Sequence, residues 1–371
     1  MIIGIDIMDL QLAHTGQRTT LEEICREFQS GTYSEHQFHY FQPSIPFYTG
    51  KNKLRVIFRH IRFHYWKQIQ LPLKAWRKKC DIVYCNDFFA PLVHLNFKVV
   101  QIFHDASFYE HPELCNPIWL RLFRYLGIPA AKRSSFIIAP TNYAKNRIHQ
   151  FIHLPIDKLI TIYQAPKTLF PLSIAEEFPA HLRQLLHVPY ILHVGVFEKR
   201  KNLPALIRAY KLLREAGYTQ YKLVLVGKGN DKTYSDSTAE VMDAIQKTNL
   251  EKEVILTGYL SDKDLALIYA RAFMYVFPSV NEGFGIPILE AFRFGLPVLV
   301  ANNTCLPEVG GDAVLTFNPF NDQEICAQMK AVIDDPSLRQ SLIQKGQQRL
   351  TFFSWKKTAA ALLETCKKAL E

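Results

Sequence analysis

Glu282 and Glu290 close the two ends of the segment Glu282-Gly-Phe-Gly-Ile-Pro-Ile-Leu-Glu290. An apolar run precedes it and a helical pattern follows, so it reads as strand, tight turn, helix. Gly283 and Gly285 carry no side chain to shield the backbone N–H groups between the acids. A helix N-terminus so exposed attracts phosphate through unpaired N–H groups and its dipole. A carboxylate on each side suits sugar hydroxyls, which donate hydrogen bonds to it. Phosphate between two sugars is a nucleotide-sugar, and the spacing points to that ligand class. A purely structural strand–turn–helix accounts for the same residues, and this segment alone leaves both readings open.

A second cationic segment, Gly195-Val-Phe-Glu-Lys-Arg-Lys-Asn-Leu203, also follows an apolar run. Arg200 and Lys201 there could hold a pyrophosphate and stabilise the charge that grows on it as a sugar departs; the alternative is a helix start with solvated charges. His104 ends the run 99–103, a place where a lone histidine is usually structural. Two other patterns are decoys. Asp262-Lys-Asp264 has the form of a metal-binding D-x-D motif, but Ser261 three residues before Asp264 makes a helix cap, so no metal is expected. Gly227-Lys-Gly229 lacks the third glycine of a dinucleotide fingerprint, which argues against a nicotinamide site. Cys80 and Cys85 have no second pair at zinc spacing.

The elements that must carry these residues alternate between apolar runs and longer amphipathic segments, the pattern of parallel sheets with crossover helices. Runs fall at 2–7, 82–84, 99–103, 136–139 and 159–163, then at 190–194, 222–226, 254–257, 274–277, 298–301 and 314–317. The proline-containing stretch 167–189 reads as a connection between two doubly wound domains, whose ligands bind beyond the strands' carboxyl ends. A chain of 371 residues is long enough for both. Its 48% hydrophobic and 21% charged residues exclude disorder. No run is long enough for a membrane span. The first ten residues hold two acids and no basic flank, so a first strand is expected and not a signal peptide. Seven scattered cysteines suggest reduced thiols and a cytoplasmic setting.

The formal charge is +10, and much of it sits in 51–79, with ten basic residues and no acid. Phe58, Phe63, Tyr65, Trp66 and Trp76 interleave with them. Basic and aromatic side chains together can lie on an anionic membrane surface. A solvated amphipathic helix is the alternative; nucleic acid is not expected, since no nucleic-acid module accompanies the stretch.

Residues 281–291, with Gly295-Leu-Pro-Val298 and Leu306-Pro-Glu-Val-Gly-Gly-Asp-Ala313 following, resemble the donor-site signature of glycosyltransferase family 4, retaining enzymes of the GT-B fold. The resemblance is close over 190–320, looser over 99–165 and slight over 10–80. It implies an α/β protein with two Rossmann-like domains facing across a cleft: an acceptor-side domain over 1–170, a donor-binding domain over 187–350, and a C-terminal helix, 354–371, crossing back to the first. It implies Glu282 beside the transferred sugar, Glu290 on the ribose, Lys201 on the donor phosphates with Arg200 as second cation, and backbone contacts from Gly283, Phe284, Gly285 and Ile286. The segment from His104 to Glu113 resembles the family's H-D-x-x-x-x-x-x-P-E, which implies that His104 meets the sugar or leaving phosphate. Of the family's glycine-rich first loop only Gly16 and Arg18 remain, so a phosphate role at Gly16 is weakened; the loop after residue 162 also departs from the family's asparagine-glycine turn. The implied reaction moves a hexose from a nucleotide-sugar to a glycan or lipid-linked glycan in surface polysaccharide synthesis, at the inner face of the cytoplasmic membrane and without metal or cofactor. The resemblance is greatest to mannosyltransferases, which makes GDP-mannose the first donor to consider. A nucleotide-sugar epimerase or phosphorylase of this fold, or a non-catalytic binding relative, are the alternatives.

Overall fold

The structure is a computed structural model that describes residues 1–13, 16–45, 47–48, 53–168, 180–229 and 234–371. His14 and Thr15 of the first loop, Lys51 and Asn52 of the basic stretch, and residues 169–179 of the connection lie outside the described residues. The chain divides into two compact units, one of residues 1–112, 116–165 and 354–371, the other of 166–353 with 113–115.

The first unit carries strands β1 (Ile2–Asp6), β2 (Gln37–Phe41), β3 (Ile82–Cys85), β4 (Lys98–Ile102), β5 (Phe136–Ala139) and β6 (Leu159–Thr161) in one parallel sheet of order 2-1-3-4-5-6. β3 is buried throughout, as a continuous Ile-Val-Tyr-Cys run requires. β2, Gln-Phe-His-Tyr-Phe, has no counterpart among the sequence-predicted strands. It sits on the sheet edge, where only Phe41 is fully buried, so polar residues interrupt its apolar pattern. The helix Trp355–Lys368 belongs to this unit: Ser354 Oγ accepts the Lys357 N–H at 3.2 Å, and Thr358 Oγ1 donates to the Tyr163 carbonyl at 2.7 Å. It packs against the helix Gly16–Gln29.

The second unit carries β7 (Tyr190–Val194), β8 (Lys222–Val226), β9 (Val254–Gly258), β10 (Met274–Phe277), β11 (Val298–Ala301) and β12 (Val314–Phe317), parallel and in order 12-11-10-7-8-9. Chain direction across the sheet therefore reverses between β7 and β10, and in the first sheet between β1 and β3. Such switch points open a crevice past the strands' carboxyl ends.

The basic stretch folds differently from a uniform surface helix. It runs as the helix Lys53–Tyr65, a π-helical turn Trp66–Gln70 and the helix Leu71–Arg77. Pro72 lacks an N–H and its ring crowds the carbonyl four residues back, and a widened turn just before it relieves both. Pro129 follows a second π-helical turn, Phe123–Gly127, in the same way. Trp66 and Lys67 are fully buried: the tryptophan is core, as the amphipathic-helix alternative has it, whereas the buried lysine corrects the expectation that the stretch's charges are all at the surface. Lys67 Nζ donates to Asp6 Oδ2 at 2.6 Å and Asp87 Oδ1 at 2.7 Å, and Trp66 Nε1 to Asp6 Oδ1 at 3.1 Å. Phe58, Tyr65 and Trp76 remain exposed.

Candidate active site

The second unit's switch point gathers the cationic loop after β7 and the glycine turn after β10. Gly227 sets their floor: at φ +123°, with a Cβ that would stand 2.0 Å from the Gly195 carbonyl oxygen, it lets the loop after β8 touch the loop after β7. The cationic loop then closes into a short 3₁₀ turn, Lys199–Lys201, and Asn202 in the left-handed region opens the helix Leu203–Glu215. Asn202 Nδ2 donates to the Pro319 carbonyl at 2.7 Å, which fixes that junction. The Val280 N–H donates to the Arg200 carbonyl at 2.8 Å and joins the two loops through their backbones.

Across this junction Lys201 Nζ lies 2.5 Å and Arg200 Nη1 2.7 Å from the same oxygen, Glu282 Oε1. Arg200 Nε also pairs with Glu198 Oε2 at 2.7 Å, and the Lys201 ammonium stands 4.8 Å from the Phe277 ring centroid. Lys201 and Glu282 are 7% and 8% exposed, nearly dry but reachable. Burial alone would raise the Glu282 carboxyl; Arg200 and Lys201 overcome it and hold it at about 2. Burial, then Arg200, pull the Lys201 ammonium below its usual range against the pull of Glu282. Two cations thus face one carboxylate oxygen at the mouth of the glycine turn.

The turn from Gly283 to Ile286 is held from its carbonyl side. Cys305 Sγ donates to the Glu282 and Phe284 carbonyls at 3.2 and 3.3 Å, and Arg200 Nη1 to the Asn281 carbonyl at 3.3 Å. Gly285 sits at φ +97°, a conformation that favours glycine, and a Cβ there would also press on Leu306 Cδ2 at 2.7 Å. As the N-cap of the helix Ile286–Arg293 it has no side chain to cap the first turn. The Phe284 and Ile286 side chains are buried, with Phe284 edge-on to Phe353. Glu290, on the same helix, is 8% exposed and accepts from Tyr269 Oη at 3.0 Å. Burial pushes its carboxyl up to about 7, and the Tyr269 hydrogen bond opposes that rise. Tyr269 in turn stacks flat on Phe294.

The structure therefore brings Arg200, Lys201, Glu282 and the 283–286 turn together, with Glu290 on the helix the turn begins. His104 and Gly16 belong to the first unit. The Asn86 carbonyl lies 3.3 Å from His104 Nε2 and accepts from Gln17 Nε2 at 3.1 Å, next to Gly16 at the start of the helix Gly16–Gln29. Gln164 Nε2 reaches His104 Nδ1 at 3.4 Å, and burial lowers the imidazole's proton affinity. Ser261 Oγ accepts the Asp264 N–H at 3.2 Å and caps the helix Asp262–Arg271, while Asp262 pairs with Lys167. No group of three His, Cys, Asp or Glu side chains able to hold a metal occurs among the described residues. Sequence reasoning missed Tyr269, Cys305, Asn86 and the fully buried His193; Cys305 and His193 flank quoted motifs without belonging to them, and Tyr269 and Asn86 have no motif around them.

Comparison with known proteins identifies the family and the fold. Residues 14–165 match the family described as Glycosyltransferase Family 4, and residues 174–349 that described as Glycosyl transferases group 1. The chain is 31% identical over 287 residues to the O-antigen chain mannosyltransferase B of Escherichia coli, covering 76% of this chain and 74% of that one. In fold it is similar to sucrose-phosphate synthase from Thermosynechococcus elongatus (TM-score 0.74, 15% identity, 99% and 98% of the two chains). It is likewise similar to Anabaena HepE in complex with UDP-glucose (TM-score 0.72, 18% identity, 99% and 100%). The two sheets, the returning C-terminal helix and these matches have one meaning: the chain belongs to glycosyltransferase family 4, retaining glycosyltransferases of the GT-B fold.

Proposed function

We propose that the protein transfers mannose from GDP-mannose to a lipid-linked glycan during synthesis of a surface polysaccharide, with its second unit as the donor-binding domain and its first as the acceptor side. One observation carries the donor reading: two cations converge on Glu282 Oε1 directly before the uncapped helix at Gly285. An arriving diphosphate draws Lys201 and Arg200 to itself and frees Glu282 for a hydroxyl of the transferred sugar. Glu290 accepts from the ribose. As the glycosidic bond breaks, negative charge grows on the leaving diphosphate, and Lys201, Arg200 and the 283–286 N–H groups stabilise it; one such donor contributes a factor of about 10² to 10³ in rate. No carboxylate is assigned as a nucleophile on the sugar. The departing phosphate accepts the acceptor's proton on the same face, which retains configuration. His104 is assigned to the reacting sugar or leaving phosphate and Gly16 to the donor, as the family motifs imply.

Mannose is favoured over other hexoses because the relative at 31% identity is a mannosyltransferase. HepE's UDP-glucose makes the base the point to test. Melting curves with UDP, GDP, CDP and dTDP sugars should show GDP-mannose stabilising the parent but not Glu290→Ala. Stabilisation by a UDP-sugar alone would replace the donor, and no stabilisation by any of them would remove the reading.

The lipid-linked acceptor and an anionic membrane surface at the cytoplasmic face are proposed from the exposed face of residues 53–77. Ile57, Ile61, Tyr65, Ile69, Leu73 and Trp76 are each more than a third exposed, beside Arg55, Arg59, Arg62, Lys74 and Arg77. Apolar insertion plus cationic attraction is what an anionic leaflet rewards.

A further inference from the structure

His193 lies in β7, one of the two central strands of the second sheet, with its ring beside those of Tyr275 and Phe277, and is completely buried. Its Nδ1 is 3.0 Å from the Val276 carbonyl oxygen. A carbonyl only accepts, so Nδ1 carries the hydrogen. Burial pushes the ring's pKa down to about 4, so the imidazole is neutral and Nε2 is a bare acceptor. That atom has no hydrogen-bond partner, although it is shut off from solvent. A buried acceptor left unmatched is destabilising, and an apolar residue in this strand would avoid it.

The direction of Nε2 explains what the strand gains. A Cβ on Gly195 would stand 3.3 Å from His193 Nε2, 3.5 Å from Lys201 Cε and 3.8 Å from Lys201 Cδ. Nε2 and the end of the Lys201 chain therefore border the same small space beside Gly195, which no side chain of that residue fills. The ammonium has three N–H groups and gives one to Glu282. A change of rotamer at the end of the lysine chain would turn another toward Nε2.

We infer that His193 is a positioning residue for Lys201: its Nε2 accepts one N–H of the ammonium while a donor diphosphate takes another. The lysine is then anchored when Glu282 turns to the sugar. This rests on the reading that Lys201 meets the donor diphosphate, and it adds a residue that no sequence motif marks.

Three variants separate positioning from packing. His193→Asn keeps a donor for Val276 but places nothing at Nε2; His193→Gln places an acceptor near Nε2; His193→Phe removes both. Titration calorimetry with GDP and UDP should show about tenfold weaker binding for the Asn and Phe variants and nearly parental binding for Gln. A structural histidine predicts the reverse order, Asn above Gln, and that order, or equal binding by all three, overturns the inference. In a Lys201→Met background His193→Asn should change nothing further; a persisting tenfold loss also overturns it. If Lys201→Met alone leaves nucleotide binding intact, the diphosphate reading fails instead. Should the variants not fold, ¹⁵N-histidine spectra of the parent decide: the Nε2 resonance should move toward hydrogen-bonded values on adding nucleotide, and a stationary resonance rejects the proposal.

Discussion

Each unit places a lysine among carboxylates at its sheet's switch point, and the two arrangements have opposite characters. Lys67 is wholly buried and fixed by Asp6 and Asp87, with Asp9 close by, so acids outnumber the cation. Burial raises the Asp9 carboxyl to about 6, against the pull of Lys67 and with a smaller push from Asp6. At the second switch point two cations share one carboxylate oxygen, and Arg200 is 29% exposed. A buried cluster with matched partners gives an anion nothing to take; a shared, reachable one can trade a carboxylate for a phosphate. Position in the sheet is thus permissive, and under the proposed function the sign and accessibility of the charge are what would direct a diphosphate to the second crevice.

The contrast breaks most visibly if both lysines are replaced by methionine. Lys67→Met strands two buried carboxylates and should remove about 3 to 5 kcal/mol of stability, read as a large fall in Tm. Lys201→Met should lower Tm far less, because Arg200 still reaches Glu282, while transfer slows by about 10² to 10³. If both variants lose stability equally, the distinction between a closed and an exchangeable cluster is wrong.

Glu290 sharpens the second site's character through pH. Its carboxyl titrates at about 7 when folded against an ordinary 4.5, so the folded state holds the proton more tightly. That contribution is fully present below about pH 4.5 and is lost as pH rises through about 7, amounting to at most about 3 kcal/mol. Calorimetry should find Glu290→Gln more stable than the parent at pH 8 and unchanged at pH 4.5. Nucleotide binding to the parent should strengthen from pH 6 to 8, because the ionised form accepts from both ribose hydroxyls. A flat binding profile separates Glu290 from the ribose.

The smallest effect per residue belongs to the first unit's outer face. Replacing Lys74, Arg77, Lys78 and Lys79 by glutamate should release the protein from anionic vesicles, each basic residue contributing about 1 kcal/mol. Unchanged sedimentation would leave the basic face without a membrane role.

The strands and the glycine turn were readable because buried parallel strands are uninterrupted apolar runs, and because the conformation at Gly285 admits little else. Arg200, Lys201 and Glu282 were readable as chemistry, but their convergence on one oxygen was not, since 81 residues separate the lysine from its carboxylate. Lys67 was misread as surface charge for the same reason: its partners lie 61 and 20 residues away. His193 was invisible because hydrogen-bond satisfaction is a property of neighbours across a sheet and not of the strand that carries the residue.

The π-helical turn ahead of Pro72 does more than accommodate a proline. In an uninterrupted α-helix a side chain repeated at every fourth residue drifts around the axis by about 40° per step, so Ile57 and Leu73 would end far apart in azimuth. The wide turn Trp66–Gln70 winds that drift partly back, so Ile69 and Leu73 rejoin the line begun by Ile57, Ile61 and Tyr65. Lys67, near the start of the same turn, holds its aspartates on the inward side. One imino acid thereby straightens an outward greasy seam beside an inward ionic lock, and shifting the proline by a single position should break the line of the seam.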